Sequence, residues 1–173
     1  MLMTTRHRGF SLLEVLIALL VFSLGLLGMA GLLIISVKTN HSAYLRTQAS
    51  FLAQSMADRM RANMPRIWTG DYNDNGYPGS TADPCAAGAA CSRANVAIRD
   101  KALWSTQLTD LLPNAAAEIL CTPTAGVNIT TEQAQNGAPY AGLCRLTISW
   151  SESALDRNAG GPTPQTFAWV FQP

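Results

Sequence analysis

The chain has 173 residues, room for one domain of ordinary size. Its apolar fraction of 48% is ordinary for a globular protein, but apolar residues are concentrated in the first 37 positions. A formal charge of +1, with no Lys/Arg cluster in the sequence beyond the N-terminus, predicts no nucleic-acid partner.

The first element is an apolar run that begins at Phe10, behind Arg6, His7, Arg8 and Gly9. After Glu14 no ionisable side chain occurs until Lys38, a gap of 23 residues. About 20 helical residues cross a hydrocarbon core, so the run is long enough to span a membrane. An acidic residue at the centre of such a helix costs about 3 kcal/mol on insertion scales. Glu14 therefore needs a reason to be there.

Three readings compete for this run. A secretory signal would use Arg6 and Arg8 as its basic region and Gly28-Met29-Ala30 as its cleavage site. Against it, Glu14 falls inside the apolar core, and hydrophobicity continues through Val37. No Cys stands directly after the run, so a lipoprotein anchor is not expected. A plain anchor with Arg6 and Arg8 held in the cytoplasm explains everything except Glu14. The third reading is a cut between Gly9 and Phe10, which removes the basic leader and leaves Glu14 one helical turn inside a new N-terminus.

The stretch Gly9-Phe10-Ser11-Leu12-Leu13-Glu14 resembles the cleavage and methylation signature of type IV prepilins. The resemblance implies a prepilin peptidase that cuts after Gly9 and methylates the Phe10 amine. It also implies a filament in which apolar helices pack together and Glu14 pairs with the terminal amine of a neighbouring subunit. Such a contact is worth a gross attraction of about 4 kcal/mol at an effective dielectric of about 20. Gly25, Gly28 and Gly31 recur at three-residue spacing in the run. They fit either close helix approach and local loosening or the general abundance of Gly in membrane helices.

From Asn40 the pattern becomes amphipathic without a break. Leu45, Ala49, Leu52, Met56, Met60 and Asn63 recur every three or four residues, flanked by Tyr44, Phe51 and Met64. Pro65 disfavours helix at Met64. One helix from about Phe10 to Asn63, roughly 80 Å long, is expected. Its second half would be the central helix of a globular head, with the Met stripe as core.

Asp71, Asn73 and Asn75, followed by Gly76, open like a calcium loop, but position twelve is Ala82 where a bidentate Glu belongs. A turn-rich surface loop is the favoured reading, continuing through Pro78-Gly79, Asp83-Pro84 and Gly88. Four cysteines, Cys85, Cys91, Cys121 and Cys144, all follow the apolar run and read as two disulfides in an oxidising compartment. Of three connectivities, the local one, Cys85–Cys91 with Cys121–Cys144, is preferred. Their spacing does not suit paired CxxC zinc ligands.

Val96, Ala97, Trp104, Leu108, Leu111 and Leu112 fit a second helix ended by Pro113. Strands are expected at 118–122, 127–131, 140–151 and 166–172. In the third, Cys144, Leu146, Ile148 and Trp150 alternate with polar residues, the period of a half-buried strand. Asn128-Ile129-Thr130 matches a glycosylation sequon, a weak signal for which strand sequence is the simpler explanation.

The resulting layout is α+β: a long N-terminal spine helix packed against a small C-terminal antiparallel sheet, which again looks like a pilin. The stretches "LAQSMADRMRANMP", "ALWSTQLTDLLP" and "LTISWSE" resemble the V-type minor pilin, or type IV pilus modification protein. The expected divisions are a leader at 1–9, a transmembrane and filament-core half at 10–37, an amphipathic half at 38–64 and a periplasmic head at 65–173. The loops at 70–92 and 151–165 carry no such resemblance.

No catalytic set is visible: the cleaved chain would keep only His41, beside the apolar run. No enzyme activity, metal or cofactor is expected. The family resemblance implies a minor pilin at or near a pilus tip that primes assembly or presents an adhesin. Its partners would be other minor pilins, the major pilin, the prepilin peptidase and inner-membrane platform proteins. Alternatives are a minor pseudopilin of a type II secretion system and an unprocessed, membrane-anchored periplasmic binding module.

Overall fold

A computed structural model describes residues 9–85, 90–152 and 161–173. The leader residues Arg6, His7 and Arg8, Gly88 and most of the 151–165 loop lie outside the described residues. The contacts divide the chain into two units, one ending at His41 and the other running Ser42–Pro173.

The first unit is helical from Leu12, the start of α1 (Leu12–Ala62). Its large apolar side chains are exposed throughout, from Phe10 to Val37. A helix apolar on every side has no core of its own to face, which suits lipid or neighbouring helices. Its hydroxyls are satisfied locally: Ser23 donates to the Leu20 carbonyl at 2.8 Å and Thr39 to the Ile35 carbonyl at 3.0 Å. That back-bonding removes the cost of a bare hydroxyl in an apolar setting.

The second unit has a single hydrophobic core. The remainder of α1 contributes Leu45, Ala49, Leu52, Ala53, Met56, Ala57 and Met60, all buried, so the Met stripe is core. Tyr44 and Phe51, which flank the stripe, are exposed. α1 stops at Ala62, where Asn63 leaves helical geometry at φ −125° and ψ 45°. The long helix ends near Asn63 as expected, but Met64 is itself helical: a short helix, α2 (Met64–Trp68), starts there. Pro65 falls in the first turn of α2, where its missing N–H has no partner to lose.

Then follow β1 (Asp74–Tyr77), α3 (Arg93–Leu111), β2 (Ala116–Pro123), α4 (Thr131–Gln135), β3 (Gly142–Glu152) and β4 (Thr163–Phe171). The strands form one antiparallel sheet in the order β1-β2-β3-β4. β3 keeps the expected alternation: Cys144, Leu146, Ile148 and Trp150 are buried while Leu143 and Arg145 are exposed. α3 is capped by Ser92, whose hydroxyl accepts from the Asn95 amide at 3.2 Å, and it ends before Pro113. It brings Trp104, fully buried, against α1, where the indole N–H donates to the Leu52 carbonyl at 2.9 Å. The α+β arrangement of helix and sheet is the expected pilin-like one.

Two strand assignments need correcting. Residues 127–131 form no strand; Thr130 instead caps α4, accepting from the Gln133 amide while the Gln133 side chain accepts from the Thr130 amide. This reciprocal capping box starts a helix and overrides the β-branched composition. Conversely, the turn-rich stretch after Asp71 contains β1. Asn73 docks it to β2 by donating to the Cys121 carbonyl at 3.3 Å and accepting from the Cys121 amide at 2.8 Å. The side-chain amide stands in for a peptide group and leads the chain into the sheet.

Candidate functional site: the N-terminal signal

The candidate site is the entrance to α1. Ser11 precedes the helix and acts as its cap: its hydroxyl accepts from the Glu14 amide at 3.2 Å, and its carbonyl accepts from the same amide at 3.1 Å. The Val15 amide also reaches the Ser11 carbonyl, at 3.3 Å. Glu14 is thus the third residue of the helix and the acidic residue of its first turn. Amide groups left unpaired in that turn give it partial positive charge, which favours a carboxylate there. The spacing Ser-x-x-Glu is the sequence signature of a helix start, and it lies inside the proposed cleavage motif. Glu14, expected from the motif to act in assembly, therefore also stands in the first turn of a helix capped by Ser11.

Gly9 and Phe10 lie outside the helix, and both are exposed. An exposed bond outside regular structure is the kind of segment a peptidase can reach. Nothing lies within 4 Å of a side chain built at Gly25, Gly28 or Gly31, so the helix is open at these positions.

Residues 4–30 match the prokaryotic N-terminal methylation motif. The segment is a prepilin-type signal. The chain fits a type IV pilin-like protein, a structural subunit, and the signal implies assembly with other pilins and processing by the prepilin peptidase. Together with an apolar helix long enough to cross a membrane, it fits a single-pass anchor. The chain matches no curated protein and no solved structure.

The remaining site residues fall in the head of this prepilin-type chain. Cys85 is bridged to Cys91 and Cys121 to Cys144. The second bridge joins directly opposed residues of β2 and β3, with Cα atoms 3.9 Å apart. Two of the three calcium candidates hold protein partners. The Asp71 carboxylate is paired with Arg66 at 3.3 Å, the Asn73 amide is spent on Cys121, and Asn75 is exposed on β1. A loop whose ligands already hold protein partners has lost the oxygens that would replace water around a cation.

Sequence reasoning missed the polar interior of the head. Asn63 and Asp100 are buried. Asn63 donates to the Tyr72 hydroxyl at 3.1 Å and to the Arg93 carbonyl at 2.9 Å. Tyr72 in turn donates to Asp100, and Arg59 pairs with the other oxygen of that carboxylate at 3.3 Å. Burial pushes the Tyr72 phenol well above its ordinary range, and the Asp100 hydrogen bond adds to the shift. Burial also raises Tyr77, with the Asp74 charge adding to it. These groups tie the end of α1 and the loop after α2 to α3.

Proposed function

We propose that the chain is a minor subunit of a type IV pilus. In this reading a prepilin peptidase cuts between Gly9 and Phe10 and methylates the new Phe10 amine. The subunit waits in the inner membrane with its N-terminus cytoplasmic and its head periplasmic, then enters the pilus fibre at or near the tip. There it primes assembly or presents an adhesin, while separate motor and platform proteins supply the energy. Cys85–Cys91 and Cys121–Cys144 hold the head together in the oxidising periplasm.

The observation that carries this reading is a prepilin-type signal joined to an apolar helix with one carboxylate in its first turn. In lipid, Glu14 lies near an edge of the span, where the cost is far below the mid-bilayer figure. In a bundle of such helices the same charge favours one register, set by a neighbour's amine. Loss of Arg6 and Arg8 leaves 12 − 2 = 10 basic against 11 acidic side chains, so packing rather than net charge dominates association.

Mass analysis of the protein from cell envelopes and from sheared filaments tests the proposal. An N-methylated Phe10 terminus in both fractions is the expected result. A chain that retains Met1 would make it a tethered periplasmic module. A processed chain absent from pili, whose deletion stops protein secretion, would make it a secretion-system pseudopilin.

A further inference from the structure

The sequence shows no basic cluster after the N-terminus, yet the head assembles one from residues far apart in the chain. Arg59 and Arg61, in the last turn of α1, and Arg93, the first residue of α3, line one cleft of about 490 Å³. Asp100 is the one carboxylate among its lining residues. That group is already shared between Arg59 at 3.3 Å and Tyr72 at 2.8 Å. Arg61 is held from outside by Asp58 at 3.1 Å, an exposed pair of small net strength. Arg93 has no acidic partner among the described residues; its guanidinium donates to the Gln135 carbonyl at 2.8 Å, which orients the charge without neutralising it.

Two further features mark the cleft as short of an anion. The Arg59 Nε atom is buried with no hydrogen-bond partner. Arg93 also stands in the first turn of α3, which has no acidic residue, so its charge opposes the positive end of the helix. Arg93 is exposed, and a cation at this end of a helix is a local conflict that a bound anion would resolve. Planar guanidinium groups take carboxylates through paired hydrogen bonds, and the cleft has room for a side chain rather than a duplex.

We propose that this arginine cleft docks an aspartate or glutamate side chain from a protein partner. The docking does not depend on cleavage after Gly9, so its failure and that of the pilus assignment are separable. The test uses the full chain in detergent micelles and a dye-labelled, end-blocked tetraglutamate peptide, with tetraglutamine and inorganic phosphate as comparisons. Tetraglutamate is expected to bind, tetraglutamine not, and added salt to weaken the complex. Arg93→Gln should weaken binding at least tenfold with an unchanged melting temperature. Arg99→Gln, on the same helix but outside the cleft and paired with Asp83 at 3.5 Å, should stay within twofold of the parent. Absence of tetraglutamate binding, or equal losses in the two variants, overturns the proposal. Displacement of the peptide by phosphate at equal concentration would assign the cleft to a small anion instead.

Discussion

The Tyr72 hydroxyl donates to Asp100 Oδ2 at 2.8 Å, linking the loop after α2 to the middle of α3 inside the head. Asp100 is 8% exposed and its other oxygen takes Arg59 at 3.3 Å, so both of its charged or polar neighbours depend on it. Asp100→Ala leaves the proton of a buried phenol without its acceptor and a half-buried guanidinium without its carboxylate. Breaking a buried pair from one side costs about 3–5 kcal/mol; Arg59 keeps some solvent, so about 3 kcal/mol is expected. Asp100→Asn, which keeps an acceptor for Tyr72, should lose less. Urea unfolding of both variants checks the order.

Tyr72 and Tyr77 set the alkaline limit of the head. Both phenols are raised above their ordinary range, chiefly by burial, which means that the folded state holds them neutral. The unfolded chain ionises near pH 10, so stability is intact below that pH and is lost as pH rises above it. Each tyrosine contributes about 1.4 kcal/mol per pH unit in that window. Unfolding free energy measured from pH 9 to 12 should fall steeply above 10. Tyr77→Phe, which gives up a 3.3 Å hydrogen bond to the Tyr72 carbonyl, should start lower and fall less steeply. A flat profile would contradict the burial argument.

The two disulfides close loops of different size, with sequence separations of 6 and 23. On loop-closure entropy alone, removal costs about 2 kcal/mol for Cys85–Cys91 and about 3 kcal/mol for Cys121–Cys144. Cys121 and Cys144 also belong to the core, so their double Ala variant adds a void to the entropic loss. Melting of the two double variants should therefore rank Cys121→Ala/Cys144→Ala as clearly the less stable.

Gly142 opens β3 opposite Pro123, the last residue of β2. A Cβ there would lie 2.7 Å from the Pro123 Cα and against the Thr122 carbonyl oxygen, both backbone atoms that cannot rotate away. Gly142→Ala should cost about 2 kcal/mol, the usual scale of overpacking, with an unchanged denaturant slope. A neutral result would mean that the β2–β3 pair separates easily at this end.

How much of this was legible depended on whether the signal was local. The Leu45–Met60 stripe and the Cys144–Trp150 alternation each repeat with the period of their element, and the core follows them. Val127–Thr131 misled because β-branched composition outweighed the Thr130…Gln133 capping pair, although both were visible. β1 was hidden because Asn73 pairs with Cys121, 48 residues away. Asp100 and the arginine cleft were invisible for the same reason: helical spacing says which face a residue takes, not which remote charge meets it. At the other end of the chain, Ser11…Glu14 was read for its processing signature alone, though the same four residues spell a helix start.

That overlap separates the place of Glu14 at the helix start from the assembly pairing proposed above. At the helix start the Ser11 hydroxyl takes the Glu14 backbone amide, a contact that does not use the side chain, and Gln keeps a side-chain acceptor at this third helical position nearly as well as Glu. Pairing with a neighbour's Phe10 amine needs the negative charge, at a gross attraction of about 4 kcal/mol. Glu14→Gln should therefore keep the helix start but lose assembly, and even a third of that attraction is worth about tenfold in incorporation. The measurement is the ratio of subunit in sheared filaments to subunit in membranes, for Glu14→Gln and Glu14→Ala side by side. Charge pairing predicts that both variants stay in the membrane. Capping alone predicts that Glu14→Gln assembles like the parent while Glu14→Ala does not.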